Sequence, residues 1–487
     1  MRNWRGVSAA MFAIVGLFVK GYLAPRMPFT SLIGFTEAAW VTAQSRLGLV
    51  PERIAEIARD AVDHVDVAEA ALNRLAVASE GGGNPVIPLL ADYRAAVTEI
   101  HGSPVGAVHA SLTSQDVMDT ALALVLKAAR DSLVSDLTRT GDALAELVRT
   151  HADTVMVGRT LTQHALPMSF GLKAASWLAG VDDAARDVLD RAHLPVSYGG
   201  AAGTLAAGMA LCDRGGSAEQ TADRLFTLIG YWAEELALAV PDQVWHTDRV
   251  PVLRVAGALA ETTAALGRMA NDVLLLSRPE VGEVREPTAE GRGVSSAMPQ
   301  KQNPVLSVLL KRTALAAPHL LSQVHSGTAA AVDERPDGGW HAEWPALRDL
   351  AVAATAAASH AAELTEGLTV NSQRMAENLR QAGTGVMAER LGAALTPVLA
   401  GSDGSTAKQR VQAAVREHPL DAEALADHLT DLIEGEDSPS LPDGVNPRER
   451  ASVGAWLRQL LDPRGYLGAT PHLCARAVEN HRERLIS

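Results

Sequence analysis

The chain has 487 residues, 47% hydrophobic and 21% charged, which supplies enough apolar surface for a large core and excludes global disorder. Its formal net charge of -14 leaves no basic footprint for nucleic acid, although a pocket can set a local potential for a small anion. The two cysteines, Cys212 and Cys474, are far apart in sequence and resemble neither a disulfide framework nor a zinc site, which points to a reducing compartment, read here as the cytoplasm.

Val7 to Val19 is apolar and follows Arg2 and Arg5, as at the start of a signal peptide. It is too short for a membrane span, Lys20 interrupts it, and no convincing cleavage site follows, so the expectation is a buried N-terminal helix and no membrane contact. Gly81 to Pro85 marks a turn, and the first region closes near Gly106. Beyond it, Leu122, Leu126, Ala129, Leu133, Leu137, Leu144 and Leu147 fall on one stripe, as do Val255, Leu259, Leu266, Met269, Val273 and Leu276. Such seams predict long helices packed nearly parallel in a bundle, running to about Leu368. A third, more charged region holds a loop from Gly435 to Pro447 and a short helical tail. Aromatics make up only 4%, so alanine and leucine carry the helix packing. No alternating strand pattern or βαβ rhythm is visible. The reading is an all-α chain in three domains, residues 1-107, 108-368 and 369-487.

Three polar or glycine-rich segments interrupt the helical pattern: His109–Asp116, Gly158–Pro167 and Gly291–Pro304. Asn303-Pro304 in the third suits the N-cap and first turn of the next helix. Capping does not explain the paired Ser295 and Ser296, or Lys301 six residues after the first serine. A flexible loop with hydroxyls and one ammonium suits capture of a carboxylate that gains charge during a reaction.

Val294–Pro304 resembles the Gly-Ser-Ser-x-Met-Pro-x-Lys-x-Asn signature of the fumarase/aspartase superfamily, with Val294 in place of the glycine before the serines and Gly293 one step earlier. The other two segments resemble that superfamily's remaining active-site regions in order and spacing. Gly83–Pro88, Leu112–Asp116, Gly199–Leu205 and Trp340–Leu347 are similar to the 3-carboxy-cis,cis-muconate cycloisomerase branch. The resemblance implies a homotetramer with a 20-helix core. Each active site would be shared by three subunits, would take a small dicarboxylate, and would need no cofactor and no metal.

It also implies roles. Ser295 is the base, and otherwise a capping hydroxyl; its alkoxide must be stabilised by nearby cations and amides. Lys301 and Asn303, with Ser296, hold one substrate carboxylate, although lysine is ordinarily a solvated surface residue. Thr113 and Ser114 bind the other carboxylate, and can equally cap the helix that follows. Gln163 is a substrate donor. Arg249 and Arg335 are weaker carboxylate ligands, each as readily a structural ion pair. Of His109, His164 and His341, His164 is the one favoured for catalysis.

One departure narrows the chemistry. Many superfamily members carry a histidine directly after Gly-Arg-Thr and a glutamate seven residues after the loop lysine, which together protonate the leaving group. Here those positions are Leu161 and Val308. General-acid help is worth roughly 10²–10⁴-fold, so an amine or hydroxide leaving group would suffer and a stable anion would not. The branch includes lyases that split nitrosuccinate into fumarate and nitrite in bacterial natural-product pathways, and that is the expected reaction. The alternatives are lactone formation by a cycloisomerase, which also lacks the acid pair, another fumarate-releasing elimination, or a silent crystallin-like structural protein.

Overall fold

The computed structural model describes residues 29–66, 68–295, 297–298, 300–399, 404–436 and 439–486. The apolar stretch Val7–Val19, read as a buried helix, lies outside the described residues. Helices dominate: α1 (Phe29–Arg46), α2 (Glu52–Asp60), α3 (Glu69–Ser79), α4 (Val86–His101) and α5 (Ser114–Thr150) precede a hairpin of β1 (Val155–Thr160) and β2 (Gln163–Ser169). Then follow α6 (Phe170–Arg191), α7 (Ala206–Cys212), α8 (Ala218–Leu236), α9 (Val250–Leu276), β3 (Val284–Arg285), α10 (Val305–Ala329), α11 (Gly338–Glu366) and β4 (Thr369–Val370). The chain closes with α12 (Ser372–Ala382), α13 (Ala388–Leu395), α14 (Gly404–Glu417), α15 (Ala422–Glu434), α16 (Arg450–Leu461) and α17 (Thr470–Ile486). Among the described residues no helix is long and apolar enough to cross a membrane.

The two predicted stripes are the buried faces of α5 and α9. Leu126, Ala129, Leu133, Leu137 and Leu144 are buried on α5, and all six stripe residues are buried on α9. Pro318 and Pro345 lie inside α10 and α11. An interior proline costs a helix about 3 kcal/mol, so burial of neighbours such as Ala317, Ala346 and Leu347 must hold these helices together.

The chain is mostly helical, as read from the sequence, with the addition that among the described residues two antiparallel two-stranded sheets are present. The alternation that reveals a strand is broken in β1, where Met156, Val157 and Gly158 are buried in succession and the register shifts between Val157 and Arg159. β3 and β4 are two residues each, too short to show any period.

The chain divides into two compact units, each drawn from three stretches. The first comprises Met1–Leu137, Asp183–Gly267 and Leu309–His360. One of its cores joins α1, α4 and α5 through Val41, Leu89, Tyr93 and Met118, with Trp340 and Trp344. A second core is aromatic: Trp40 packs tilted against Tyr198 and edge-to-face against Trp232, with ring centroids 5.3 Å and 5.2 Å away. The polar tips of these rings reach backbone and loop groups, as buried aromatics require. Trp40 Nε1 donates to the Ala110 carbonyl at 2.7 Å, and the Tyr198 hydroxyl donates to Ser111 Oγ at 3.0 Å.

The second unit comprises Thr138–Asp182, Arg268–Val308 and Ala361–Ser487. Its core packs Val157 of the hairpin with Leu379, Leu391, Leu425 and Leu457. Position 141 in α5 favours glycine: a Cβ there would lie 2.5 Å from the ring of His481 on α17. That ring is buried with Nδ1 2.7 Å from Asp182 and Nε2 3.2 Å from Asp142.

Candidate active site

In the first unit the polar segment His109–Asp116 ends in the start of α5. Asp116 Oδ2 accepts the Thr113 backbone N–H at 2.8 Å, the reciprocal half of a capping box. The same carboxylate, fully buried, accepts from the Gly199 N–H at 2.8 Å and the Gly200 N–H at 3.2 Å, and faces His246 Nε2 at 2.7 Å. Asp116 therefore gathers three chain segments around the N-terminus of α5, where free N–H groups and the helix dipole favour an anion. Thr113 and Ser114 sit half-buried at that end. His109 and Ser111, just before it, hold positive φ values of 61° and 62°. Such strain persists only where neighbours over-determine it. Here they are Glu37, 2.6 Å from His109 Nδ1, and Tyr198 on Ser111.

Below this lies a buried ionic cluster. Arg249 donates to Asp119 at 2.7 Å and 3.1 Å and pairs with Glu343, while Trp340 Nε1 donates to Asp119 at 3.1 Å. Arg249 is 1% exposed and pairs with both acids, the structural ion pair weighed from the sequence as its alternative role. Burial pushes the Glu343 carboxyl above its ordinary value, and the Arg249 charge opposes that. Arg335 lies exposed on the connection before α11. His341 bridges backbone, with Nε2 2.9 Å from the Gly83 carbonyl and Nδ1 3.0 Å from that of Asp337, which fixes the Gly81–Pro85 turn.

In the second unit the Gly158–Pro167 segment is the hairpin. Arg159 pairs with His164 and Thr160 with Gln163 across it. Leu161 and Thr162 form the two-residue tip, both with positive φ, 48° and 70°. Gln163 and His164 are exposed, and Gln163 Nε2 donates to its neighbour's hydroxyl, Thr162 Oγ1, at 3.2 Å. The root is rigid: Arg159 donates twice to the buried Glu283, at 3.0 Å and 2.8 Å, and Asn378 Nδ2 donates to the same carboxylate at 2.8 Å. A clamped root with an exposed tip presents Gln163 and His164 outward on a fixed stalk.

The serine loop is pinned at its neck by an antiparallel bridge between Val294 and Gln302. Gly293, with φ of 69°, must be glycine, since a Cβ there would meet the Asn303 carbonyl at 2.6 Å. Asn303 is not a helix cap, contrary to one reading of the Asn-Pro pair. Its Nδ2 donates to the Gly293 carbonyl at 3.0 Å and so closes the loop. The cap comes from elsewhere: the buried Glu286 carboxylate accepts the Leu306 and Ser307 N–H groups at 3.0 Å and 2.7 Å. Ser295 is half-buried, and its Oγ accepts the Met298 N–H at 3.2 Å. An N–H aimed at a hydroxyl oxygen favours its ionised form. Lys301 is exposed on the same loop. Ser296 lies outside the described residues.

Asp119, His246, Glu283, Glu286 and Glu343 escaped the sequence reading. The available signal was a charge on a core-facing stripe: Asp116 and Asp119 sit three residues apart on the buried face of α5.

Comparison with known proteins places the chain in a family. A family model described as Lyase matches residues 26–317. Nitrosuccinate lyase of Streptomyces davaonensis is 41% identical over 445 residues, 91% of this chain and 88% of that protein. A 3-carboxy-cis,cis-muconate cycloisomerase of Bradyrhizobium diazoefficiens is 36% identical over 91% of this chain and 92% of its own. Among solved structures, the 3-carboxy-cis,cis-muconate lactonizing enzyme from Pseudomonas putida matches with a TM-score of 0.78 at 32% identity, covering 98% of this chain and 99% of that one. The chain therefore belongs to the Lyase family and is an enzyme of the fumarase/aspartase superfamily.

Proposed function

We propose that this lyase splits nitrosuccinate into fumarate and nitrite, with Ser295 as the base. The observation that carries the reading over the cycloisomerase alternative is the 41% identity to a nitrosuccinate lyase; the chemistry missing at two positions argues against leaving groups that need a proton. Leu161, 96% exposed at the hairpin tip, and Val308, 51% exposed on α10, stand where an acid-donating pair would be. Nitrite leaves as a stable anion and needs no proton.

In this mechanism Ser295 Oγ takes a proton from the methylene carbon of the substrate. The electron pair moves into the adjacent carboxylate, then forms the carbon–carbon double bond as the C–N bond breaks and nitrite departs. The proton on Ser295 passes to solvent. The more acidic proton, on the nitro-bearing carbon, is unproductive, so the site must grip both carboxylates to aim the base. Lys301 and the loop amides serve one carboxylate; Thr113, Ser114 and the N-terminus of α5 serve the other. Gln163 and His164, on their outward-facing stalk, suit contribution to a site completed by other copies, in a homotetramer built on a 20-helix core with each site shared by three subunits. Exposed Arg335 is a further carboxylate ligand of this shared site. The scheme uses no cofactor.

The test is incubation with nitrosuccinate while nitrite and fumarate are measured together, for the parent and Ser295→Ala. Equal release of both products is expected, with a loss of about 10²–10⁴-fold in the variant if its base is removed. Turnover of 3-carboxy-cis,cis-muconate with none of nitrosuccinate selects the cycloisomerase reaction and overturns the proposal.

A further inference from the structure

Away from these segments, in the second unit, two helices bring a second set of chemistry-bearing side chains together. Glu417 ends α14, His418 follows it, and His428 lies on α15. His418 Nε2 and His428 Nδ1 face each other at 3.0 Å with the ring planes 86° apart. Glu417 Oε2 lies 3.7 Å from the same His428 nitrogen. One ligand atom from each of the three residues lies within 4.8 Å of the others.

We infer that Glu417, His418 and His428 form a binding site for a divalent transition-metal ion of the zinc type. The two imidazoles are borderline donors, which favour zinc, nickel, copper or cobalt over magnesium or calcium, and the carboxylate is a third ligand that zinc also accepts. The distances are close to those needed. Two nitrogens each about 2.05 Å from a tetrahedral zinc are about 3.3 Å apart, so the observed 3.0 Å has to open by only a few tenths of an ångström. The exposed Glu417 side chain, 65% accessible, has the freedom to swing in and complete the set. Three protein ligands leave a fourth position to water. The ion would tie the end of α14 to the second turn of α15, next to the core residues Leu425 and Leu429. Its role is structural, a clip on the α14–α15 pair. None of the three residues belongs to the machinery proposed for the elimination.

The experiment uses the untagged full chain, stripped with a chelator and titrated with zinc chloride alone by calorimetry, with cobalt(II) absorption as a second probe. The parent is expected to take up one tight equivalent per chain, with a cobalt band of low coordination number and a raised melting temperature on adding zinc. In His418→Gln/His428→Gln the affinity should fall by roughly 100-fold or more, since losing ligands costs at least as much as losing their supports. Because that variant removes a contact between helices, Glu417→Gln provides an exposed second probe: zinc binding weakens while stability in chelator is unchanged. No tight equivalent in the parent, or an equivalent of unchanged affinity in the folded double variant, overturns the inference. Nitrite release in chelator, by the parent and all variants alike, separates this site from the elimination.

Discussion

Replacing Arg249 with methionine tests the account of the buried cluster most directly. Arg249, Asp119 and Glu343 are each 1% exposed or less, and Arg249 is the cation between the two carboxylates. Methionine keeps the length of the side chain but leaves the acids facing each other, with Trp340 Nε1 and Gln115 Nε2 as neutral donors to Asp119. Breaking a buried pair in this way costs about 3–5 kcal/mol, mostly the penalty of an uncompensated buried charge. The deficit should depend on pH. Burial already raises Glu343, and Arg249 is the leading influence that lowers it, so the variant raises it further. A carboxyl raised in the folded state binds its proton more tightly folded than unfolded. The stability from that proton is complete below the unfolded value and is lost as pH rises through the folded one; with the parent's own Glu343 already raised to about 7, the deficit is level near pH 5 and grows only above about pH 7, toward pH 8. The assay is urea and thermal unfolding at one fixed protein concentration, alongside the KM for nitrosuccinate. Neutralising all three, as Asp119→Asn/Arg249→Met/Glu343→Gln, should recover much of the loss. A single variant within about 1 kcal/mol of the parent at both pH values, but with a raised KM, would falsify the structural assignment and return Arg249 to the substrate.

The remaining predictions concern the second unit. His481 is raised above its ordinary value first by Asp182 and then by Asp142, against the effect of burial, so its stabilisation is present below the unfolded value and fades as pH rises through the folded one. His481→Gln should therefore lose about 1–3 kcal/mol under mildly acidic conditions and little in alkali; a pH-independent loss measured by denaturation refutes the charge argument. Gly141→Ala should destabilise by about 1–3 kcal/mol through the 2.5 Å approach to the same ring, despite alanine's better helix propensity; a more stable variant in thermal melts would show that the ring yields. At the hairpin tip, Leu161→Asn/Thr162→Gly relieves two residues held at positive φ and should stabilise the fold by about 1–2 kcal/mol in all, and so raise the melting midpoint; an unchanged midpoint counts against strain there.

The long helices and the segments that interrupt them were legible in the sequence. Long-range periodicity in α5 and α9 revealed the helices because each stripe had to be buried along its whole length. The serine loop was legible because glycine, proline and paired hydroxyls are unusual between such helices. The hairpin was misread as one more break, since its bulge at Gly158 disrupts alternation, yet its two-residue tip is what carries Leu161, Gln163 and His164 outward. The fate of individual charges was not legible at all. Arg249 and Arg335 look equivalent in sequence, but one meets acids 130 and 94 positions away while the other is exposed.

The sequence by itself determined the class of element and the chemistry available, because local period and residue type suffice for both. Tertiary structure alone decided which polar groups are spent on the scaffold. Asp116 binding the Gly199–Gly200 turn, Glu286 capping α10 and Asn303 closing its own loop all follow from one rule. Buried polar groups must find partners, and those partners are neighbours in space rather than along the chain.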